Sequence, residues 1–555
     1  MPERGACWSR ITAHSTLVSA HVLLALGTVA MLGLIGLSAG VSRAARSGYA
    51  VHTIRLQPGV VATAFDAGAN RLFVATRTTI GVRDATTGRL LQTIRLPMPA
   101  LQGETTLLLD TPDGRLIVGT TRDARNTASS GAITTIDTRT GGVLCSLQSG
   151  TDVTPLVVDE GSKLALVASS VAAPGGPPGV TMGRLAFVDV RTGQPVAQAT
   201  LPGSVTDWVF DPGRERALVL YPLVLQYGVE PRYAVIDTRH GRILPGHDRD
   251  VGPLPYLDLQ RGWAMAVDRT AGLVRVVATA TGRVLRTIRV AGLPQAQALD
   301  PHTGTGYVVS LGGKQAGSLP SQSTFSILDL ARGLVRRQVN IGGGAEGLSL
   351  STSGDRAYIS LQSGQLLVVD TTTAKVLGTV DVGPVSVDAP AVTAHGFAYS
   401  LRDGTVNANG STQPSSRGVL YVLNAETGRL VRTIALGTTS NPRPIEDVAH
   451  GALLFVTGIS SGPWDSLPQP GLVTVLQAST GKLLQQIPIG LRPTPVGFDA
   501  RTGRLLVLNT MGDGTAPPSA DPQELTCSAV PASPDLHTTR CRLPYTSLSI
   551  IDPLS

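Results

Sequence analysis

The sequence predicts an all-β chain in which one four-stranded antiparallel unit repeats about ten times. The first observation is a hairpin motif, clearest in residues 418–437 (GVLYVLNAETGRLVRTIALG), in which Gly428 follows a polar turn between two apolar runs. The second is the roughly fifty-residue spacing at which this motif returns, a period typical of propellers and solenoids. The third is that each period holds four short strands, which favours a β-propeller over a solenoid. The predicted third strands of the ten units end at Asp84, Asp137, Asp189, Asp237, Ala278, Asp329, Asp370, Asn424, Gln477 and Asp552.

Residues 295–342 show how one unit divides into strands. The predicted strands are residues 296–299, 307–311, 325–328 and 335–341, and the tight turn DPHTG joins the first two. Apolar alternation bounded by Gly, Pro, Asn and Asp predicts each strand. The same division into units of four strands applies from Gly48 to Ser555.

The last unit predicts how the repeat array ends. Its third strand, residues 548–551, is followed by only a few residues, so a fourth strand is missing. Residues 52–56 (HTIRL) match the fourth strands RTIRV and RTIAL elsewhere. We therefore expect one ring, closed by the N-terminal strand, which would remove an exposed sheet edge. Two smaller rings are the alternative, since propellers usually have four to eight blades.

The N-terminus predicts a membrane span. No Asp, Glu, Lys or Arg occurs between Arg10 and Arg43, and residues 22–41 are almost wholly apolar, which is long enough to cross a bilayer as a helix. We predict a tail (1–15), a transmembrane signal anchor (16–42), a linker (43–47) and a propeller domain (48–555). A cleaved signal peptide is the alternative, because Ser38-Ala39-Gly40 and Ser42-Arg43-Ala44 present small residues at a spacing suited to cleavage. We expect the propeller domain to lie outside the cytoplasm, where a single membrane span tethers it. If the span is cleaved, we expect the domain to be secreted.

Cysteine placement agrees with an oxidising compartment. Cys527 and Cys541 are spaced for one disulfide in a late loop, and the absence of a nearby His or further Cys makes a zinc site a poor alternative. Cys145 lies alone in a strand and Cys7 in the tail.

The repeats resemble a known group of propellers. The residues that carry the resemblance are ALDPHTGTGYVVS from Ala298, LLVVDTTTAKVLGTVDVG from Leu366 and LYVLNAETGRLVRTIALG from Leu420. They are similar to YVTN-type (YncE-like) repeats, which are related to the quinoprotein amine dehydrogenase β-chain-like and WD40-like propellers. The tetrad YVTN itself is absent. The resemblance implies a binding scaffold outside the cytoplasm and leaves the activity open.

Long insertions are predicted on one face of the ring. In an antiparallel blade the first and third turns share a face, and the second-to-third connections leave from the opposite face. Insertions grouped on one face of a repeat protein often mark its working surface, although exposed loops also tolerate insertion without a function. The insertions are residues 122–131, 170–183, 312–323, 402–417, 458–471 and 510–546.

Acidic residues at the start of first strands predict a ligand site at the channel mouth. Converging carboxylates would favour a cation or an amine, whereas hydrated pore residues without a ligand are the alternative. No calcium-loop motif occurs, and the metal is left unassigned. The candidates are Asp207, Glu346, Asp388, Glu446 and Asp447.

No linear catalytic motif is present: GxSxG, HExxH, a P-loop and CxxCH are all absent. The net charge of +7 is spread without basic runs and only 4% of residues are aromatic, which argues against nucleic-acid binding. We therefore predict no catalytic residues, no cofactor and a non-catalytic scaffold that binds a protein or small molecule on its loop-rich face. The alternative is a lactonase-like hydrolase or lyase with a His and an acidic or metal partner at the channel mouth.

Overall fold

The computed structural model describes most of the repeat region. It covers residues 48–57, 59–98, 105–121, 131–173, 181–225, 228–244, 256–269, 271–312, 322–382, 391–392, 396–402, 418–436, 444–458, 470–491, 493–509, 526–529, 539–542 and 546–554. The predicted anchor, residues 16–42, lies outside this part of the chain. Within it, no helix is long and apolar enough to span a membrane.

Forty-two strands and one short 3-10 turn (Pro212–Arg214) make up the described fold. The strands up to the middle of the chain are β1 (Tyr49–Leu56), β2 (Val60–Asp66), β3 (Arg71–Thr76), β4 (Thr79–Asp84), β5 (Leu90–Arg95), β6 (Thr105–Asp110), β7 (Arg115–Thr120), β8 (Ala132–Asp137), β9 (Val143–Gln148), β10 (Thr151–Asp159), β11 (Leu164–Ala172), β12 (Thr181–Asp189), β13 (Pro195–Leu201), β14 (Asp207–Asp211), β15 (Arg216–Leu225), β16 (Gly228–Asp237), β17 (Arg242–Ile243), β18 (Tyr256–Asp258), β19 (Trp263–Asp268), β20 (Leu273–Ala278) and β21 (Val284–Arg289). The remaining strands are β22 (Leu293–Asp300), β23 (Thr305–Leu311), β24 (Ser323–Asp329), β25 (Leu334–Gly342), β26 (Ala345–Leu350), β27 (Arg356–Leu361), β28 (Gln365–Asp370), β29 (Val376–Asp381), β30 (Ala391–Val392), β31 (Phe397–Arg402), β32 (Val419–Asn424), β33 (Leu430–Ala435), β34 (Ile445–Asp447), β35 (Ala452–Thr457), β36 (Pro470–Gln477), β37 (Leu483–Leu491), β38 (Pro493–Asp499), β39 (Arg504–Asn509), β40 (Thr526–Ala529), β41 (Thr539–Arg542) and β42 (Thr546–Pro553).

These strands form ten four-stranded antiparallel sheets and one two-stranded sheet, β40–β41. Nine of the larger sheets use four consecutive strands, from β2–β5 (blade 1) to β34–β37 (blade 9). The prediction of ten four-stranded propeller blades is confirmed, and the predicted third-strand ends agree with the observed strands. In the unit over residues 295–342, the strands β22 to β25 extend the predicted ones by a few residues at their ends.

Blade 10 combines both ends of the chain. Its order is β1-β42-β39-β38, and β1 pairs with β42 in unbroken register from Tyr49 opposite Pro553 to Leu56 opposite Thr546. Tyr49 and Leu56 are buried, and the side-chain amide of Gln485 in blade 9 bonds the Tyr49 backbone at 2.8 and 2.9 Å. The N-terminal strand thus occupies the fourth-strand position of this sheet.

The hydrophobic core lies between the blades. The described residues form ten clusters of buried side chains, and each one joins two neighbouring blades. One of them packs Leu72 and Val74 of blade 1 against Leu506 and Ile550 of blade 10. Each sheet is therefore buried on both faces, which explains why the inner strands read as nearly continuous Val, Leu and Ile.

Arginine at the start of second strands strengthens these interfaces. Arg71 donates to the carbonyl of Thr138 in the next blade, and Arg356 donates to that of Glu426. At the same strand position, Arg504 of blade 10 donates to Asn70 and Thr86 of blade 1, at 3.1 and 2.7 Å. The contact between the last and first blades therefore repeats the contact between internal neighbours.

Removing the β1 strand should destabilise the propeller strongly. A chain that begins at residue 57 loses the buried Tyr49 and Leu56 side chains and exposes β42 as a sheet edge, and the two side chains alone are worth at least about 3 kcal/mol. Thermal unfolding of this chain, compared with one that begins at Gly48, measures the loss. Equal melting temperatures would contradict a structural role for β1.

Candidate functional site

The two faces of the propeller differ in the length of their connections. The first-to-second and third-to-fourth turns join strands over a few residues, as at residues 67–70 and 85–89, and together they form what we call the short-turn face. The second-to-third connections leave from the opposite side, which we call the loop-rich face. Strand ends place the predicted insertions there, since β31 ends at Arg402 and β32 begins at Val419. The insertions themselves lie largely outside the described residues.

Two predicted site residues lie where first strands begin, on the loop-rich side. Asp207 opens β14 opposite Leu220, and its carboxylate accepts a bond from the Trp208 backbone N–H at 2.9 Å. Glu346 lies near the start of β26 and accepts from the side-chain amide of Gln362 at 2.6 Å. Asp388 lies outside the described residues. A ligand-binding role for these three residues stays a prediction.

The predicted position is wrong for Glu446 and Asp447. Strand β34 is short and ends at Asp447, which pairs with Ala452, the first residue of β35. Both acidic residues therefore lie beside the first turn of blade 9, on the short-turn side, and Asp447 is fully buried. The sequence suggested a first strand that began with these residues, whereas they are its last two.

Asp447 belongs to a repeated set that sequence reasoning missed. In eight blades an aspartate is the last residue of the first strand, and in every one it is buried. In seven of them the carboxylate accepts a backbone N–H of the following turn, as in the 2.9 Å bond from Ala69 to Asp66. Asp211 is the exception, and its carboxylate accepts from the Arg214 guanidinium of the turn at 3.2 Å instead. The signal was present in the sequence as an Asp directly before each predicted first turn. The eight are Asp66, Asp110, Asp159, Asp211, Asp258, Asp300, Asp447 and Asp499.

Several of these aspartates also bond to the neighbouring blade. The hydroxyl of Thr238, directly after the third strand of blade 4, donates to Asp159 Oδ2 of blade 3 at 2.7 Å. Thr279 of blade 5 donates to Asp211 Oδ2 of blade 4 at 2.8 Å. A hydroxyl hydrogen bond to a buried carboxylate is charge-assisted, so it adds both strength and direction to the apolar interface.

At the interface of blades 9 and 10, the N-terminal strand supplies the donor. Tyr49 Oη donates to Asp447 Oδ2 at 2.7 Å, and both groups are buried. Burial, together with this hydrogen bond to a carboxylate, raises the pKa of the Tyr49 phenol far above its ordinary value. The pair thus links the first strand of the domain to the ninth blade.

Two histidines form pairs with buried aspartates. His450 Nδ1 lies 2.8 Å from Asp447 Oδ2, and His240 Nδ1 lies 3.0 Å from Asp237 Oδ2. Each pair sits within a short turn, and each aspartate also accepts a backbone N–H of the same turn. An Asp–His pair can orient a general base. Both pairs, however, lie on the short-turn face, away from the predicted site at the channel mouth.

The described residues contain no cluster suited to metal binding. No group of three or more His, Cys, Asp or Glu side chains in this part of the chain is placed to hold a metal ion. Asp207 and Glu346 belong to different blades, and the hydrogen bonds that their carboxylates accept among the described residues come from Trp208 and Gln362 of their own blades. The hydrolase alternative, which needs a histidine with a partner at the channel mouth, gains no support from the described residues.

Comparison with known proteins gives a partial match. The sequence profile of the family described as PQQ_2, outer membrane protein assembly factor BamB, matches residues 39–291, which is less than half of the chain. This match supports a BamB-like propeller more than the narrower YVTN-type resemblance, which stays a prediction. No curated protein sequence matches the chain.

Solved structures with a similar arrangement belong to several protein classes. BamB from Moraxella catarrhalis is 13% identical, with 91% of this chain and 99% of that chain covered and a TM-score of 0.35. The quinohemoprotein alcohol dehydrogenase ADHIIG from Pseudomonas putida HK5 is 12% identical, with coverage of 90% and 76% and a TM-score of 0.40. A eukaryotic initiation factor is 12% identical, with coverage of 78% and 89% and a TM-score of 0.43. All three scores are below 0.5, so no functional conclusion rests on them.

The inter-blade hydroxyl bonds predict opposite effects at two equivalent positions. Thr279→Val removes the donor to buried Asp211 and should lower the free energy of unfolding by about 1–3 kcal/mol. Val190 occupies the same position in blade 3, and the corresponding aspartate is Asp110 in blade 2. Asp110 Oδ2 is buried without a hydrogen-bond partner in the described part of the chain, and burial raises the pKa of Asp110. Val190→Thr supplies the missing donor and should leave stability unchanged or raise it. Denaturant unfolding measures both variants, and equal losses at the two positions would contradict the role of the hydroxyl.

Proposed function

We propose that this protein is a membrane-tethered, extracytoplasmic propeller that acts as a non-catalytic scaffold and presents its loop-rich face to a protein partner. The observation that carries the proposal is the division between the faces. The strand that leads back to the predicted anchor begins on the short-turn side, and the long connections leave from the other side. A tethered scaffold needs this arrangement, because its binding surface must point away from the attachment point.

Three features support the proposal. The apolar segment of residues 22–41 ends a few residues before β1, so a tether would connect directly to the fold. The interfaces between blades, including that of blades 10 and 1, have the same packing, which supports a single rigid ring closed by the N-terminal strand. The profile match to an outer membrane protein assembly factor is in keeping with a role in assembly at a membrane.

The partner-binding face can be tested by site-specific photo-crosslinking in cells. A photoreactive residue at Gln362, exposed on the loop-rich face, should give discrete adducts with a partner protein. The matched position is Glu426, exposed on the short-turn face, which should not give these adducts. Replacing residues 403–417, the insertion in the next blade, by a short Gly-Ser linker should remove the adducts without changing the melting temperature. Adducts of equal yield from both faces, or none from Gln362, would contradict the proposal.

The extracytoplasmic location predicts a disulfide between Cys527 and Cys541. The two residues are directly opposite each other in the antiparallel pair β40–β41, and opposite positions in such a pair have the Cα separation that a disulfide needs. We expect non-reduced peptide mapping of protein isolated from membranes to find the two cysteines linked. Finding both as free thiols would contradict the disulfide and weaken the proposed location.

A further inference from the structure

We propose that the short-turn face lies against an anionic lipid surface, with its exposed arginines and lysines at the headgroups. This inference rests on the proposed membrane tether and adds an orientation and a lipid class to it. Three independent features carry it: the point where the chain leaves the fold, the distribution of charge between buried and exposed groups, and a repeated set of exposed apolar residues.

The chain leaves the propeller at the short-turn face. Strand β1 is the outermost strand of blade 10, and Tyr49 pairs with Pro553 at the end of β42, where third strands reach the short turns. Only residues 42–48 separate Tyr49 from the end of the apolar segment. Seven residues span at most about 25 Å when fully extended. The edge of this face at blade 10 is therefore held close to any membrane that the apolar segment enters.

The exposed charges of this face are mainly positive. Its turns contain many carboxylates, but most of them are partly or fully buried, where they accept backbone N–H groups. Hydrogen bonds from the Thr87 and Thr373 backbones are the main reason that the pKa values of Asp84 and Asp370 lie below the ordinary range. Among the described residues of this face, the exposed carboxylates are Glu160, Asp355 and Glu426. The exposed cations of the described turns are Arg89, Arg139, Arg191, Arg239, Arg242, Arg283, Arg332, Lys375, Arg429, Lys482 and Arg501.

Arginine and lysine suit a lipid surface at these positions. Their long stems can reach past the turn and place the charge among headgroups while the acidic partner stays recessed in the protein. Arg191, Arg332 and Arg501 pair with turn aspartates, yet their side chains remain 63%, 75% and 67% exposed. A surface with recessed acids and projecting bases is complementary to anionic headgroups at short range, although the total charge of the face is nearly balanced.

Exposed apolar residues follow the turns directly. In eight blades the register between the third and fourth strands shifts by one residue at the start of the fourth strand. The shift is a β-bulge, which leaves one residue unpaired and re-aims its side chain. Six of these bulged residues are apolar and are between 39% and 55% exposed. They are Leu91, Leu144, Val196, Leu285, Leu377 and Val431.

Cations and aliphatic side chains side by side are typical of surfaces that lie in a membrane interface. A protein partner on this face is a different proposal, and the short tether argues against it because the membrane occupies the adjacent space. We therefore assign the surface to anionic lipid.

The orientation can be measured on the full chain in lipid nanodiscs. Cys7, Cys527 and Cys541 are replaced by serine, Cys145 is buried and is kept, and a single cysteine carries a fluorophore. One reporter is Thr192→Cys, exposed on the short-turn face in blade 3, remote from the tether. The other is Gln362→Cys, exposed on the loop-rich face. At Thr192→Cys, quenching by a nitroxide lipid should be strong when the disc contains phosphatidylglycerol and weaker when it contains phosphatidylcholine alone. At Gln362→Cys, quenching should be weak in both kinds of disc.

Matched triple variants test the role of the cations. R89Q/R283Q/R429Q removes three charges from the short-turn face. R77Q/R95Q/R289Q removes three exposed arginines near the loop-rich ends of outer strands and connections. One basic residue at an anionic surface changes the equilibrium between bound and unbound states about fivefold. The first variant should therefore lower the ratio of chains whose short-turn face contacts the lipid to chains whose face does not, by a factor on the order of 100. The second should leave the quenching unchanged.

The outcomes separate the inference from the proposal on which it rests. A chain that does not enter the discs contradicts the membrane tether itself. A chain that enters the discs but shows no quenching at Thr192→Cys retains the tether and overturns the orientation. Quenching that is equal in the two lipids, or equal in the two triple variants, overturns the assignment to anionic headgroups.

Discussion

The packing between blades is the interaction on which the rest of this structure depends. Each four-stranded sheet has two apolar faces, and ten clusters of buried side chains fill the ten spaces between neighbouring sheets. A sheet at the end of an open array would leave one of these faces in water, at a cost of about 25 cal/mol for each square ångström of apolar area. At the contact between blade 10 and blade 1, Leu506 and Ile550 pack against Leu72 and Val74, and β1 pairs with β42 in the blade 10 sheet.

Polar groups give these apolar interfaces a defined geometry. Packing between Val, Leu and Ile side chains has little directional preference, whereas a buried carboxylate must find donors at fixed positions. Most of the aspartates that end first strands accept hydrogen bonds within their own turn, and Asp159 and Asp211 also accept one from a threonine of the next blade. Among the residues that the structure describes, Asp110 Oδ2 has no such partner. Tyr49 does the same for Asp447, so the N-terminal strand takes part in the hydrogen bonding as well as in the packing.

The two faces result from one property of antiparallel blades. Turns that must join adjacent strands tightly lie on one side, together with the capping aspartates and many exposed cations, and this side changes little from blade to blade. The connections on the other side are not restricted in this way and vary in length. A tether on the regular side and variable loops on the other is the physical basis of the proposed scaffold, and the regular side is suited to contact with an extended, uniform surface.

The sequence by itself determined the number of blades, the strands of each blade and the match of residues 52–56 to a fourth strand. These features depend on local alternation of apolar residues and on turn residues, both of which are readable along the chain. Glu446 and Asp447 show the limit: their position depends on how few residues β34 contains, which only the pairing of Asp447 with Ala452 decides. The partners of the buried aspartates also depended on the tertiary structure, because Thr279 and Asp211, or Tyr49 and Asp447, are distant in sequence and meet only when neighbouring blades pack. Asp207 and Glu346 were correctly placed at strand starts, but no local pattern could say whether their carboxylates would converge, since that depends on the positions of whole blades.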